Sequence, residues 1–297
     1  MRPAEIYTHL WVGFSGGVDS TALLHMSHRW CLEQNMPITA LHANHGLHPQ
    51  SDSWQSHCEA VCQKMGITVL SAHLKLGEGN LEAQARQARY AFFREHVQTG
   101  QGIVLAHHAQ DQSETLLLRL LQGRGFQGMS NNGQSEGVSV VRPLLDESKD
   151  QLTAYADRHS IPWIEDPSNL DLSLDRNYLR HEILPRLYAR WPDLDRRFDR
   201  VGRYVKNVEA LLAKQWAAGL LEEGRVLAIK DLTQMPEQGV IVLRVFAQQL
   251  GCYDITDKAL GEFIKQCERG DRARLRLNTH DLVAQRDDIC IEVVKIR

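Results

Sequence analysis

Along the first half of the chain the spacing of apolar positions switches repeatedly between two periods. Between residues 10 and about 165, short apolar runs rich in β-branched residues alternate with stretches of helical periodicity, as in a parallel sheet whose strands are joined by crossover helices. The runs predict strands at 10–14, 38–42, 67–73, 103–107, 138–141 and 162–164. The stretches between them predict helices at 19–33, 51–65, 81–97, 112–122 and 149–159. Boundary residues agree with this reading. Gly66 can take the left-handed conformation that ends a helix, Asn80 can cap the next one, and Gly123 directly follows Gln122.

The alternation then stops. Residues 177–223 read as almost wholly helical, with a kink or break expected at Pro185 and at Trp191-Pro192, because proline lacks an N–H and restricts the residue before it. Residues 225–297 read as a small mixed unit, with helices at 238–250 and 257–268 and strands at 274–277 and 289–294. The glycine-rich stretch 123–137 is expected to be a mobile surface loop. These patterns predict an α/β domain at 1–185, a helical linker at 186–223 and a small α+β domain at 224–297. There is no internal repeat and no low-complexity tract.

A chain of 297 residues can bury a sizeable core in two domains. Its 6 cysteines contain no Cys-x-x-Cys pair, and the nearest two, Cys58 and Cys62, lie one helical turn apart. They read as reduced thiols of a cytoplasmic protein. The first apolar run, near Leu10, is too short for a signal segment or a membrane span. A net charge of -3 does not mark a nucleic-acid binder, yet the charge is uneven: residues 176–206 hold nine Lys/Arg against four Asp/Glu. A second basic cluster comprises Lys265, Arg269, Arg272, Arg274 and Arg276. Both clusters are open to two readings, a solvated helix face or a phosphate-binding surface.

The sharpest chemical signal is Ser15-Gly16-Gly17-Val18-Asp19-Ser20, placed directly after the first predicted strand and directly before the apolar helical residues Ala22-Leu23-Leu24. Two glycines let the backbone approach an anion, Ser15 and Ser20 supply hydroxyl donors, and the helix end offers unpaired N–H groups and a positive dipole. Asp19 is then free to hold Mg²⁺ against phosphate oxygens. No lysine follows the glycines, which excludes the Walker loop, and the spacing is not that of a dinucleotide fingerprint.

The loop resembles the pyrophosphate loop (PP-loop) of the N-type ATP pyrophosphatases, a group that includes NAD synthetase, GMP synthetase, asparagine and argininosuccinate synthetases and several tRNA-modifying enzymes. That resemblance implies a Rossmann-like parallel-sheet domain that cleaves ATP between its α- and β-phosphates and transfers AMP to a carbonyl or amide oxygen. Four further segments narrow it: Leu41-His42-Ala43-Asn44-His45-Gly46-Leu47-His48-Pro49; Asn80-Leu81-Glu82-Ala83-Gln84-Ala85-Arg86 with Arg89-Tyr90; His107-His108-Ala109-Gln110-Asp111-Gln112-Ser113-Glu114-Thr115; and Glu165-Asp166-Pro167-Ser168-Asn169 followed by Asp175-Arg176-Asn177 and Arg180. Taken in this order they resemble the tRNA(Ile)-lysidine synthases, specifically over the first 185 or so residues and more loosely beyond.

The resemblance implies a carbon–nitrogen ligase that adenylates the wobble cytidine of a CAU-anticodon isoleucine tRNA, after which free L-lysine displaces AMP. ATP and Mg²⁺ are the implied cofactors. The residues implied for ATP and pyrophosphate are Ser15, Gly16, Gly17, Val18, Asp19, Ser20, His42, His45, Arg86 and His107. Asp19 and Asp111 are implied for the metal, and Asp19, Asp111 and Glu114 for catalysis. Glu114 also reads as a first-turn helix acid stabilised by the dipole. Arg176, Asn177 and Arg180 read either as tRNA contacts or as braces closing the first domain.

Two positions depart from the family pattern: Gln110, where a second acid is common, and His48, where arginine is frequent. The spacing of His42, His45 and His48 beside His107-His108 raises a zinc site as a rival reading. At the level of the whole protein, a PP-loop tRNA thiolase and a non-catalytic nucleotide- or tRNA-binding relative are the alternatives. Many relatives carry a further C-terminal domain, so the sequence is open to being a naturally short form or a piece of a longer protein. Monomer and homodimer are both open.

Overall fold

The period-two pattern of β1 (Leu10–Gly13) sets up the layers of the first unit. Leu10 and Val12 bury themselves on one face of the sheet, while Trp11 packs on the other. Against the first face, Ala22, Leu23 and Leu24 of α1 (Val18–Gln34), Cys58 and Cys62 of α2 (Ser51–Met65) and Leu152 of α5 (Lys149–Arg158) form one core. Tyr90, Phe92 and Phe93 of α3 (Leu81–His96) form a second core on the other face, against Leu41, Ile103, Val138 and Val140.

The computed structural model describes residues 8–75, 81–98, 101–123, 128–129, 131–135, 137–217, 225–228, 236–249, 255–270, 273–276, 280–285 and 288–293. The strands that follow β1 are β2 (Ile38–Asn44), β3 (Thr68–His73), β4 (Gly102–Val104), β5 (Asn132–Ser135) and β6 (Val138–Val141), in the sheet order β3-β2-β1-β4-β6-β5. All pairings are parallel except the β5–β6 hairpin. The chain winds from β1 outward to β3 and then returns to β4 on the other side of β1. Their carboxyl ends therefore mark the reversal of winding at which open α/β sheets bind ligands.

The expected strand at 162–164 is not one. Pro162 has no N–H for a ladder, and the segment runs as extended coil whose Ile164 N–H donates to the Gly16 carbonyl at 2.9 Å. The stretch 123–137, expected to be a mobile loop, contains β5, whose polar sequence Asn-Gly-Gln-Ser lacks the alternation that betrays a strand. Gly66 ends α2 in the left-handed region as expected, whereas the Asn80 cap lies outside the described residues.

At Pro185 the helix widens rather than breaks. The helical turn α6 (Asp175–Tyr178) passes through a π turn (Leu179–Ile183) into α7 (Leu184–Arg190), with the proline in the first turn of α7, where its missing N–H disrupts least. The break at Trp191-Pro192 is real: α7 ends at Arg190 and α8 (Leu194–Ala217) begins afresh.

By backbone compactness the chain divides into two units, Met1–Glu114 with Met129–Asp195, and Thr115–Gly128 with Arg196–Arg297. In the second, Leu243, Leu260, Phe263 and Ile264 of the helices Pro236–Gln249 and Asp257–Glu268 pack on Leu282 and Ala284. Those two residues belong to an antiparallel sheet of four strands, β7 (Arg225–Ala228), β8 (Arg274–Arg276), β9 (His280–Gln285) and β10 (Asp288–Val293), in the order β7-β10-β9-β8. The pattern foresaw β8 and β10 but not β7 or β9. No helix among the described residues is long and apolar enough to cross a membrane.

Phe93, 1% exposed, and Leu32, 68% exposed, separate core from surface. Phe93→Ala is expected to destabilise the first unit by about 3–5 kcal/mol and Leu32→Ala by less than about 0.5 kcal/mol, measured by urea unfolding.

Candidate active site

Ser15 to Ser20 form a tight turn between β1 and α1. Gly16 sits at φ +88°, and a Cβ there would meet Ile164 Cδ1 at 2.6 Å and Cys58 Sγ at 2.8 Å, so only glycine fits. The turn is stitched from within: the Ser20 hydroxyl donates to the Gly17 carbonyl at 3.0 Å and accepts the Ser15 N–H at 3.2 Å, with Ser15 Oγ 3.0 Å away. Gly17 occupies the N-cap position and supplies no side chain to cap the first turn of α1, which begins at Val18.

Three elements bring titratable groups to this turn. His108, just past β4, is 2% exposed, and its Nε2 lies 3.6 Å from Asp19 Oδ2 and 3.5 Å from Asp111 Oδ2. The His108 backbone N–H donates to the same Asp111 oxygen at 3.0 Å. Burial alone would lower the pKa of this imidazole, but the hydrogen bond to Asp19 and the charges of Asp111, Asp19 and Glu114 outweigh it and raise the pKa. One helical turn into α4 (Ala109–Leu121), Glu114 is fully buried. Arg180, from the π turn, grips it with Nε at 2.7 Å and Nη2 at 2.8 Å, and Nη2 also reaches Asp111 Oδ1 at 3.2 Å. Burial pushes the Glu114 carboxyl upward, opposed by Arg180. Burial prevails, so the net shift of the carboxyl is upward, while the guanidinium pKa is raised because Glu114 and Asp111 overcome its burial.

Burial lowers the pKa of three other histidines, His42, His45 and His107. His42 Nδ1–H donates to the Phe14 carbonyl at 2.9 Å, tying β2 to the end of β1, and burial lowers its pKa. Burial, aided by the charge of Arg89, pushes His45 down to about 4, and its Nδ1 is buried with no hydrogen-bond partner. Burial also pushes His107 down to about 3, and its Nδ1 accepts from Arg142 Nε at 3.3 Å, which leaves the ring proton on Nε2. His48 stacks on Trp54 at 4.8 Å instead of converging with His42 and His45.

The remaining predicted residues are dispersed. Arg86 reaches Ser135 Oγ at 3.0 Å and lies 4.7 Å over the Tyr90 ring. Asn177 is buried and donates to the carbonyls of Ser168 at 2.9 Å and Asp171 at 3.0 Å, bracing the loop between them, while Arg176 Nε stands 4.0 Å from Glu114 Oε2. The site reading of the sequence left out His108 and Arg142. The signal for His108 lay in the His-His pair itself, since one of two successive residues leaving a strand turns inward. Arg142, 7% exposed at the end of β6, carries no motif.

A family model for the PP-loop domain matches residues 5–187, more than half of the sequence. The chain belongs to the PP-loop family. It is 40% identical over 255 residues to the tRNA(Ile)-lysidine synthase of Alkalilimnicola ehrlichii, an alignment covering 84% of this chain and 54% of that protein. With the tRNA(Ile)-lysidine synthase of Pseudomonas aeruginosa it is 42% identical over 214 residues, 70% of this chain and 48% of that one. The chain thus spans about half the length of the curated relatives it matches. Among solved structures, the U34-tRNA thiolase NcsA of Methanococcus maripaludis, with its [4Fe-4S] cluster, aligns with a TM-score of 0.55 at 17% identity, covering 68% of this chain and 73% of that one. That likeness establishes the α/β PP-loop fold and nothing finer. Membership of an ATP-binding family makes ATP the nucleotide of this domain.

Arg180→Met removes both hydrogen bonds to buried Glu114 and leaves only Arg176 Nε, 4.0 Å away, which is expected to cost about 3 kcal/mol at neutral pH. The folded-state carboxyl pKa is already above its ordinary value and loses the lowering influence of Arg180, so it rises further and the folded form binds the extra proton. The variant should regain stability as pH falls toward 5 and lose it as pH rises through the folded pKa, checked by Tm against pH.

Proposed function

We propose that this chain carries the adenylating and lysine-transferring site of a tRNA(Ile)-lysidine synthase. The observation that carries the reading is the group Asp19, His108, Asp111, Glu114 and Arg180, assembled where the winding of a PP-loop sheet reverses. It is supported by the 38–42% identity to several proteins of that name.

In this reading the serine hydroxyls and the uncapped N–H groups at the start of α1 bind the phosphates of ATP. The cytidine O2 forms a bond to the α-phosphorus as the bond to the β-phosphate breaks, releasing pyrophosphate. The ε-amine of lysine then attacks carbon 2, AMP departs with the oxygen, and the amine loses its protons. The neutral rings of His45 and His107 can donate or accept hydrogen bonds without repelling a cation, and His107 Nε2–H is a donor suited to a phosphate or nucleotide oxygen.

Asp19 Oδ2 lies beside His108, but Oδ1 is buried with no hydrogen-bond partner, so the residues fit Mg²⁺ held by Asp19 and Asp111. Bound there, the ion would neutralise charge on the phosphates as pyrophosphate leaves. Two carboxylates suffice because Mg²⁺ takes its other ligands from phosphate and water, and Gln110 is not required. Asp111 is the carboxylate that meets the amine: it is 16% exposed, whereas Glu114 is 0% exposed and spends both oxygens on Arg180. A free lysine amine is protonated at neutral pH, and a carboxylate in this position both attracts the ammonium and accepts its proton. No observation favours the thiolase alternative. Cys31, Cys58, Cys62 and Cys267 are buried, and burial pushes Cys58 and Cys62 up to about 12, far from a reactive thiolate.

Incubation with ATP, Mg²⁺, labelled lysine and either isoleucine or methionine CAU tRNA tests the proposal. Label is expected in the isoleucine tRNA alone, with one pyrophosphate released per lysine; no incorporation would reject it. Asp19→Asn should abolish pyrophosphate release, and Asp111→Asn should slow lysine transfer by about 10²-fold or more.

A further inference from the structure

Ser113 is fully buried between Gln112 and Glu114 on α4, and its hydroxyl donates to Asp195 Oδ1 in the first turn of α8. The same oxygen accepts the Tyr188 hydroxyl of α7 at 2.7 Å. Burial and this hydrogen bond raise the Tyr188 pKa, which keeps the phenol a donor. One carboxylate oxygen therefore ties together α4, α7 and α8 beside the residue that holds Arg180. Nothing in the adenylation chemistry uses it.

The surroundings give this node a job. Both α4 and α8 continue past the first unit, which the chain leaves after Glu114 and again after Asp195. A helix transmits rotation along its length, so any torque on α4 from beyond residue 114 would turn the side chains of its first two turns, Asp111 and Glu114 among them. Arg180 restrains those two carboxylates, but it hangs on a π turn, a conformation with weaker local geometry than an α-helix. Ser113–Asp195 is a second restraint one residue from Glu114, and charge-assisted hydrogen bonds of this type are the stronger class.

We propose that Asp195 is a positioning residue that, through Ser113 and with Tyr188, fixes the direction in which Asp111 faces the substrate and the position of the Glu114–Arg180 pair beside it. The inference rests on the proposed lysidine reaction for its kinetic consequence but not for its structural one. Both are read in one experiment on the full chain: steady-state lysine transfer, and amide hydrogen exchange of α4, for wild type, Asp195→Ala, Asp195→Asn, Ser113→Ala and the Ser113→Ala/Asp195→Ala pair.

Asp195→Ala is expected to lower kcat about tenfold or more while KM for ATP stays within about twofold, and to speed exchange in the first turns of α4 about tenfold, with α1 unchanged. Asp195→Asn keeps an oxygen acceptor and should restore most of both. The double variant should be no worse than Asp195→Ala alone, because the two side chains act as one contact. Unchanged exchange in α4, an Asn variant as impaired as the Ala variant, or additive losses in the double variant would each overturn the proposal. So would a kcat within twofold of wild type. If wild type transfers no lysine, the lysidine reading fails while the exchange comparison still decides the role of Asp195.

Discussion

Glu114 is completely buried, and the guanidinium of Arg180 makes that burial possible. A carboxylate removed from water without a partner costs several kcal/mol, so the pairing constrains everything attached to either side. On one side it sets the first turns of α4 and, through the shared Arg180 hydrogen bond, the position of Asp111. On the other it draws the segment from Asp175 to Arg190 against that helix, and there the chain adopts a π turn and accommodates Pro185 without breaking. His108 extends the same logic across the sheet edge. It stands between Asp19 on the β1 side and Asp111 on the β4 side, so the pyrophosphate loop and α4 are held through one imidazole.

The site thereby separates two electrostatic tasks. His45 and His107 are neutral by burial and by the nearness of arginines, available as hydrogen-bonding groups toward nucleotide. His108, Asp19, Asp111, Glu114 and Arg180 form a group whose charges hold one another, with one oxygen of Asp19 left over. That leftover oxygen is buried without a hydrogen-bond partner, and on the proposed reading it is where a cation would bind. The pyrophosphate loop is equally constrained from below, because Gly16 rests on Ile164 and Cys58 with no room for a side chain. Ile164 is there because the segment after α5 crosses beneath the loop instead of joining the sheet.

The layered α/β domain was legible in the sequence from the alternation of apolar periods, reinforced at α2 by Gly66, whose left-handed conformation ends the helix. The sequence hid β5, β7 and β9. The four polar residues of β5 carry no alternation; β5 is held by its hairpin partner β6, and β9 lies between β8 and β10, so these strands are set by their neighbours rather than by their own propensity. The segment 162–164 failed in the opposite sense, being apolar enough for a strand but without the proline donor to form one. Within the site, the loop and the Asp111 and Glu114 pair were visible because motif and helix spacing coincide. The pairing of Arg180 with Glu114, across 66 residues of sequence, was not. Nor was Arg142, which becomes a neighbour of His107 only once β6 lies beside β4.

On the proposed reading, this domain activates a tRNA carbonyl with AMP before any nucleophile is needed. Exchange of labelled pyrophosphate into ATP measures that step alone. With Mg²⁺ and isoleucine CAU tRNA, and with lysine omitted, label should enter ATP, and the exchange should vanish when the tRNA is left out. Exchange that proceeds equally without tRNA, or none with it, would contradict the account.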